Sequence, residues 1–247
     1  MSKLAETYLH LEIRLDDEGK KQLQQYLQEK APFYSAGVYE YELEYAVNIE
    51  DGSVKVWLTV AGAIYAGIAG YGSFRSGIDY LVKDAQTVSE RVFKDLKDSG
   101  MPQEQVINFQ RRQGVPGQIK RALRDIRILE NNGRNLSEKE YNSKTQSVRR
   151  ALERISKGLD HEKDLNILKE NIPQQLQNSL PSRLPDRHIY EARIAALRPE
   201  EYEFKPTLKE NSLAVGPEPY SGSSFLLSDD YTVKESSNGI RFLPSGK

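Results

Sequence analysis

Apolar and polar residues alternate along Thr7 to Leu15, with Leu9, Leu11, Ile13 and Leu15 on one side and Tyr8, His10, Glu12 and Arg14 on the other. That period predicts a half-buried strand. Asp16-Asp17 offers a cap for a short amphipathic helix carrying Leu23, Tyr26 and Leu27, with Pro32 limiting its extent. Alternation returns over Val38 to Val47, where Tyr39, Tyr41, Leu43, Tyr45 and Val47 oppose Glu40, Glu42 and Glu44. After a tight connection at Asp51-Gly52, Val54, Val56, Leu58 and Val60 alternate with Lys55, Trp57 and Thr59 as the partner strand of a hairpin. The chain therefore opens β-α-β-β.

At Ala61 the pattern turns to small residues. Gly62, Ala63, Ala66, Gly67, Ala69, Gly70 and Gly72, set among Ile64, Tyr65, Ile68 and Tyr71, predict a glycine-lined helix. Beyond Gly77 a second stripe, Ile78, Leu81, Val82, Ala85, Val88, Val92 and Leu96, runs at helical spacing until Ser99-Gly100 and Pro102 end it. Another helical region opens at Pro116-Gly117. Ile119, Ala122, Leu123, Ile126 and Leu129 form one stripe, Asn132-Gly133 breaks it, and Ser137-Glu138-Lys139-Glu140 reads as a capping box. Tyr141, Thr145, Val148, Leu152 and Ile155 then step by four and three up to Gly158, so the two stripes make an αα-hairpin.

Past Leu180 the patterning fades, apart from a short helix at Ile189 to Leu197, and seven of the eleven prolines fall between Pro181 and Pro244. The expectation is an α+β protein in three parts. Residues 1–100 form a β-α-β-β unit with a long Gly/Ala-rich helix, residues 101–180 a basic αα-hairpin, and residues 181–247 a Pro-rich extended or flexible tail.

Val56 to Phe74 is nineteen residues without a charge, flanked by Lys55 and Arg75, which is the length of a membrane span. Strand alternation through Val60 takes the first five, and the fourteen left from Ala61 to Phe74 have the length of a core helix. Glycine inside a helix costs about 1 kcal/mol relative to alanine. The small pairs Gly62/Ala66, Ala63/Gly67 and Ala66/Gly70 therefore predict a face that something approaches closely. The leading expectation is an interface on Gly62, Ala63, Ala66, Gly67 and Gly70, serving self-association or a protein partner. Packing of that face on the chain's own sheet is the plainer alternative, and membrane insertion of residues 56–74 is another.

A chain of 247 residues buries a full core without staples, and the absence of cysteine excludes disulfides, thiolate zinc sites, iron–sulfur clusters and a cysteine nucleophile. Gly70 to Arg75 fails as a dinucleotide fingerprint because Arg75 stands at the third glycine position, and Gly72 to Gly77 lacks the Lys and Ser/Thr of a phosphate loop. Glu40, Glu42 and Glu44 read as a solvated strand face, and Glu203-Phe204-Lys205 stands alone. His10, His161 and His188 have neither metal-ligand spacing nor a serine-nucleophile context. The expectation is accordingly no catalysis, no cofactor and no metal. No apolar segment follows Lys3, which points to a cytoplasmic protein, with membrane association as the alternative.

The net charge of −1 conceals a local bias: Arg111 to Lys157 holds thirteen Lys and Arg against five Asp and Glu, a net of +8. Lys120, Arg121, Arg124 and Arg127 recur at helical spacing along one side. With Arg75 in its glycine-rich turn, they are the candidate phosphate or anion contacts. A solvated helix face, or pairing with the acidic Glu40 to Glu44, is the plain alternative. Aromatic residues are sparse here, so contact with nucleic acid would be backbone-directed and weakly selective, and anionic lipid is the other candidate. The primary reading is a non-catalytic interaction protein, with a membrane-active protein and a nucleic-acid binder as alternatives; a small-molecule ligand is left unknown.

Overall fold

The computed structural model describes residues 1–50, 54–185, 231–236 and 239–244. The chain runs β1 (Ser2–Leu11), α1 (Asp17–Ser35), β2 (Leu43–Glu50), β3 (Val54–Gly62), α2 (Ile64–Ile68), α3 (Phe74–Asp98), β4 (Val106–Arg112), α4 (Gly114–Asn132), α5 (Glu138–Gly158), α6 (Glu162–Glu170), α7 (Gln174–Gln177), β5 (Tyr231–Ser236) and β6 (Gly239–Pro244). β1 to β4 form an antiparallel sheet in the order β2-β3-β1-β4. Sequence order and sheet order together are those of the split β-α-β-β-α-β arrangement. The mixed helix-and-sheet class is the α+β expected. The expected Asp51-Gly52 connection, the helix at Ile189 to Leu197, Glu203-Phe204-Lys205 and His188 lie outside the described residues.

One face of the sheet is the core. Leu9, Leu11, Val54, Val56, Leu58 and Val60 are buried on it beneath Leu23, Leu27 and Ala31 of α1 and the Ile78-to-Leu96 stripe of α3. Thr7 donates from Oγ1 to Ser89 Oγ at 2.9 Å, and Phe93 stacks on Phe109 at 4.5 Å, which fixes α3 on this side of β1 and β4. The register then assigns the opposite face. Tyr8 pairs with Trp57, His10 with Lys55, Asn48 with Trp57, and Gln110 with Tyr8.

Local chemistry explains several helix ends. Asp16 caps α1 by accepting from Gly19 N–H at 2.7 Å. Pro32 does not limit that helix as expected: α1 continues one turn to Ser35, and Arg91 of α3 donates to the terminal carbonyls of Tyr34 (3.0 Å) and Ala36 (2.8 Å). α3 ends in a Schellman turn, with Gly100 at φ +85° and Met101 N–H bonded to Leu96 O at 3.1 Å. Ser137 and Glu140 form the capping box that starts α5. Gly158 at the end of α5 lies against Val115 at the start of α4, while Tyr141 near the start of α5 lies by Gly133, so the two helices run antiparallel.

Several expectations are corrected. The first strand spans Ser2–Leu11 rather than Thr7 to Leu15, and the second starts at Leu43 rather than Val38. No long Gly/Ala-rich helix exists: Gly62 ends β3, α2 has five residues, and Ala69 to Gly72 separate it from α3, which Ser73 caps anew. Gly70 and Gly72 have no neighbour within 4 Å of an added Cβ, so nothing packs there to hold a helix together. The uncharged run from Val56 to Phe74 is thereby divided among strand, short helix and turn. Among the described residues no helix is long and apolar enough to cross a membrane.

Candidate functional site

The five cations singled out by spacing meet in one place. Arg75, Lys120, Arg121, Arg124 and Arg127 all line an open cleft of about 400 Å³, together with Ile78, Asp79, Gln113, Gly117 and Leu123. Helix periodicity is the cause. α4 buries Ile119, Ala122, Leu123 and Ile126, which leaves Lys120, Arg121, Arg124 and Arg127 exposed on the outer side of the same turns. α3 supplies the facing wall from its first turns, where Arg75 follows the Ser73 cap.

Acidic groups compensate part of this charge. Lys120 pairs with Asp79 at 2.7 Å, Arg75 with Glu130 at 3.9 Å and Arg124 with Asp125 at 3.7 Å, every one of these side chains more than a third exposed. Such exposed pairs contribute little to stability and exchange readily for another anion. Among the described residues Arg121 and Arg127 pair with no carboxylate. None of these pairs reaches Glu40 to Glu44. Glu44 lies 3.5 Å from the Met1 amine, and Glu40 and Glu42 precede β2.

A second concavity, of about 580 Å³, adjoins the cleft and shares Gln113 and Arg121 with it; Lys3, Glu6, Gln110, Arg111, Arg112 and Gln118 also line it. Glu6 sits between Lys3 and Arg112, its Oε1 accepting from Arg112 at 2.9 Å. Burial pushes the Glu6 carboxyl up, but the Lys3 and Arg112 hydrogen bonds outweigh it and hold the group below its ordinary value. The trio is left at net +1. Arg112 also lies over Tyr8, 5.1 Å from the ring centroid. Pattern reading missed β4, and with it Arg111 and Arg112 as strand residues. Only three of its seven residues, Val106, Ile107 and Phe109, are apolar, and none is fully buried.

The small residues are dispersed. Gly62 ends β3, and an added Cβ there meets Leu4 and Leu43 at 2.9 Å. Ala63 caps α2 and is buried, Ala66 is half-buried, and Gly70 is exposed outside any helix. A Cβ at Gly67 falls 2.6 Å from both Leu81 Cδ2 and Tyr41 Oη of the same chain. The close approach expected at Gly62 and Gly67 is thus made within the molecule.

Among the described residues no cluster of three or more His, Asp or Glu could hold a metal ion. No protein-family model matches the chain, and no curated protein or solved structure matches it.

Proposed function

We propose that the chain binds the phosphate backbone of a nucleic acid in the cleft between α3 and α4. The observation that supports this reading is the convergence of five cations from two helices on one cleft, two of them without a carboxylate partner among the described residues. Lys and Arg that neutralise phosphates release condensed counterions, and this drives association with little dependence on base sequence. Anionic lipid is the other candidate for these cations, but the membrane insertion of residues 56–74 that would accompany it meets a run divided among β3, α2 and the turn before α3.

The test is anisotropy of a labelled oligonucleotide across a salt series. Affinity should fall linearly on a log–log plot, by roughly 0.7 to 0.9 per phosphate contacted. Arg121→Glu combined with Arg124→Glu should weaken binding at least about tenfold and flatten the slope by about 1 to 2. Salt-independent binding, no binding, or capture by phosphatidylserine vesicles in preference to the oligonucleotide would defeat the reading.

A further inference from the structure

We infer that the nucleic acid is single-stranded and that its bases stack on the face of the sheet turned away from α1 and α3, on Tyr8 and Trp57. This rests on the phosphate reading of the cleft and names its substrate class. Tyr8 on β1 and Trp57 on β3 stand directly opposite each other on the two central strands, their ring centroids 5.0 Å apart and tilted by 43°. Both rings are half-buried and lie on the face turned away from the α1 and α3 core. Their direct partners in the register are Gln110 and Asn48, and the adjacent positions on this face are His10, paired with Lys55 and Asn108, and Glu6, paired with Thr59 and Arg112. A sheet face meant for apolar packing would set aliphatic side chains around two such rings. The Gln110 and Asn48 amides instead provide donors and acceptors for base edges, and Lys55 nearby is paired with Glu50 at 3.5 Å.

Charge joins this face to the cleft. Arg112 covers Tyr8 on one side and lines the second concavity on the other, and Arg121 is common to that concavity and the cleft. A strand whose phosphates follow Arg127, Arg124 and Arg121 is carried to Arg112, where its bases reach the aromatic pair. Stacking on protein rings requires bases removed from a duplex, since paired bases already cover each other's faces. The aromatic residues missing from the basic helices are supplied by β1 and β3.

Trp57 is the chain's only tryptophan, so its emission reports on this face alone. The experiment titrates the full chain with a twelve-nucleotide oligothymidylate and with a twelve-base-pair duplex, following Trp57 emission and label anisotropy together. The single strand should quench Trp57 and bind about tenfold or more tighter than the duplex. Tyr8→Leu should remove about tenfold of single-strand affinity, the order contributed by one base–aromatic stack, and leave duplex affinity unchanged. Binding without quenching, or equal affinity for both forms, overturns the stacking proposal while the cleft stands. Absence of any binding overturns both. The quenching measurement on the unaltered chain decides the matter even if Tyr8→Leu does not fold.

Discussion

Asp95 of α3 accepts two phenol hydrogen bonds on one oxygen: Tyr26 and Tyr34 of α1 each donate to Oδ2 at 2.7 Å. Burial pushes both phenols up, and the Asp95 bonds push further, Tyr26 to about 12 and Tyr34 higher still. A raised folded value means that the folded state holds its proton where the unfolded chain has lost it. The contribution is therefore complete below about pH 10, the unfolded value, and declines as pH rises toward the folded one. Tyr34→Phe, which removes one bond to a charged acceptor, should cost about 2 kcal/mol at neutral pH. It should also reduce the alkaline loss of stability between about pH 10 and 12. Urea midpoints at pH 7, 10.5 and 11.5 read both effects, and an unchanged midpoint at pH 7 would contradict the pairing. Nothing in the sequence signalled this contact. Tyr26 was legible as part of an apolar stripe, but its partner lies sixty-nine positions away, and a pattern of local period carries no information about that distance.

At the scale of elements, legibility followed burial. α3 and the β3 alternation were readable because a single face of each is packed, so the period of the element is the period of the sequence. β4 lies at the sheet edge with no fully buried residue, and the short α6 and α7 carry few buried positions, so their periods are weak. The glycine run misled for another reason. Small residues suit a strand end, a one-turn helix or an exposed turn alike, and this run contains all three, with close approach among its glycines only at Gly62 and Gly67. Gly67 decides between the inward and outward readings. Gly67→Leu forces a branched side chain into Leu81 and Tyr41 and should destabilise the fold by about 3 kcal/mol, with the mass of the folded species by light scattering unchanged. Intact stability with an altered mass would restore an outward-facing contact surface there.

For the molecule as a whole, the candidate cleft was more legible than the fold around it. Its cations needed only helical spacing on α4 and one arginine beside a cap, whereas the sheet face opposite required the register of three strand pairs before Tyr8 met Trp57 and Arg112. Away from the cleft, α6 and α2 are tied to the sheet by a buried carboxylate. Asp164 in the first turn of α6 accepts from Ser2 Oγ and from Ile64 N–H, each at 3.2 Å, and from Tyr65 N–H at 2.7 Å. One side chain thus joins α6 to the start of β1 and to the first N–H groups of α2, which has no side-chain cap of its own. Asp164→Ala leaves two backbone donors without an acceptor and should cost about 3 kcal/mol. The amides of Ile64 and Tyr65 should then lose hydrogen-exchange protection before those of β3.

The same group makes the clamp pH-dependent. Burial raises the Asp164 carboxyl above its ordinary value, against the opposing pull of the Tyr65, Ile64 and Ser2 hydrogen bonds. Its contribution to stability is therefore greatest below the unfolded value near 3.9 and declines as pH rises through the elevated folded one. Asp164→Asn keeps one acceptor oxygen and cannot ionise. The stability gap between the unaltered chain and this variant should narrow as pH rises from about 4 to 7. A gap that widens instead would mean that the three donors hold Asp164 ionised despite its burial.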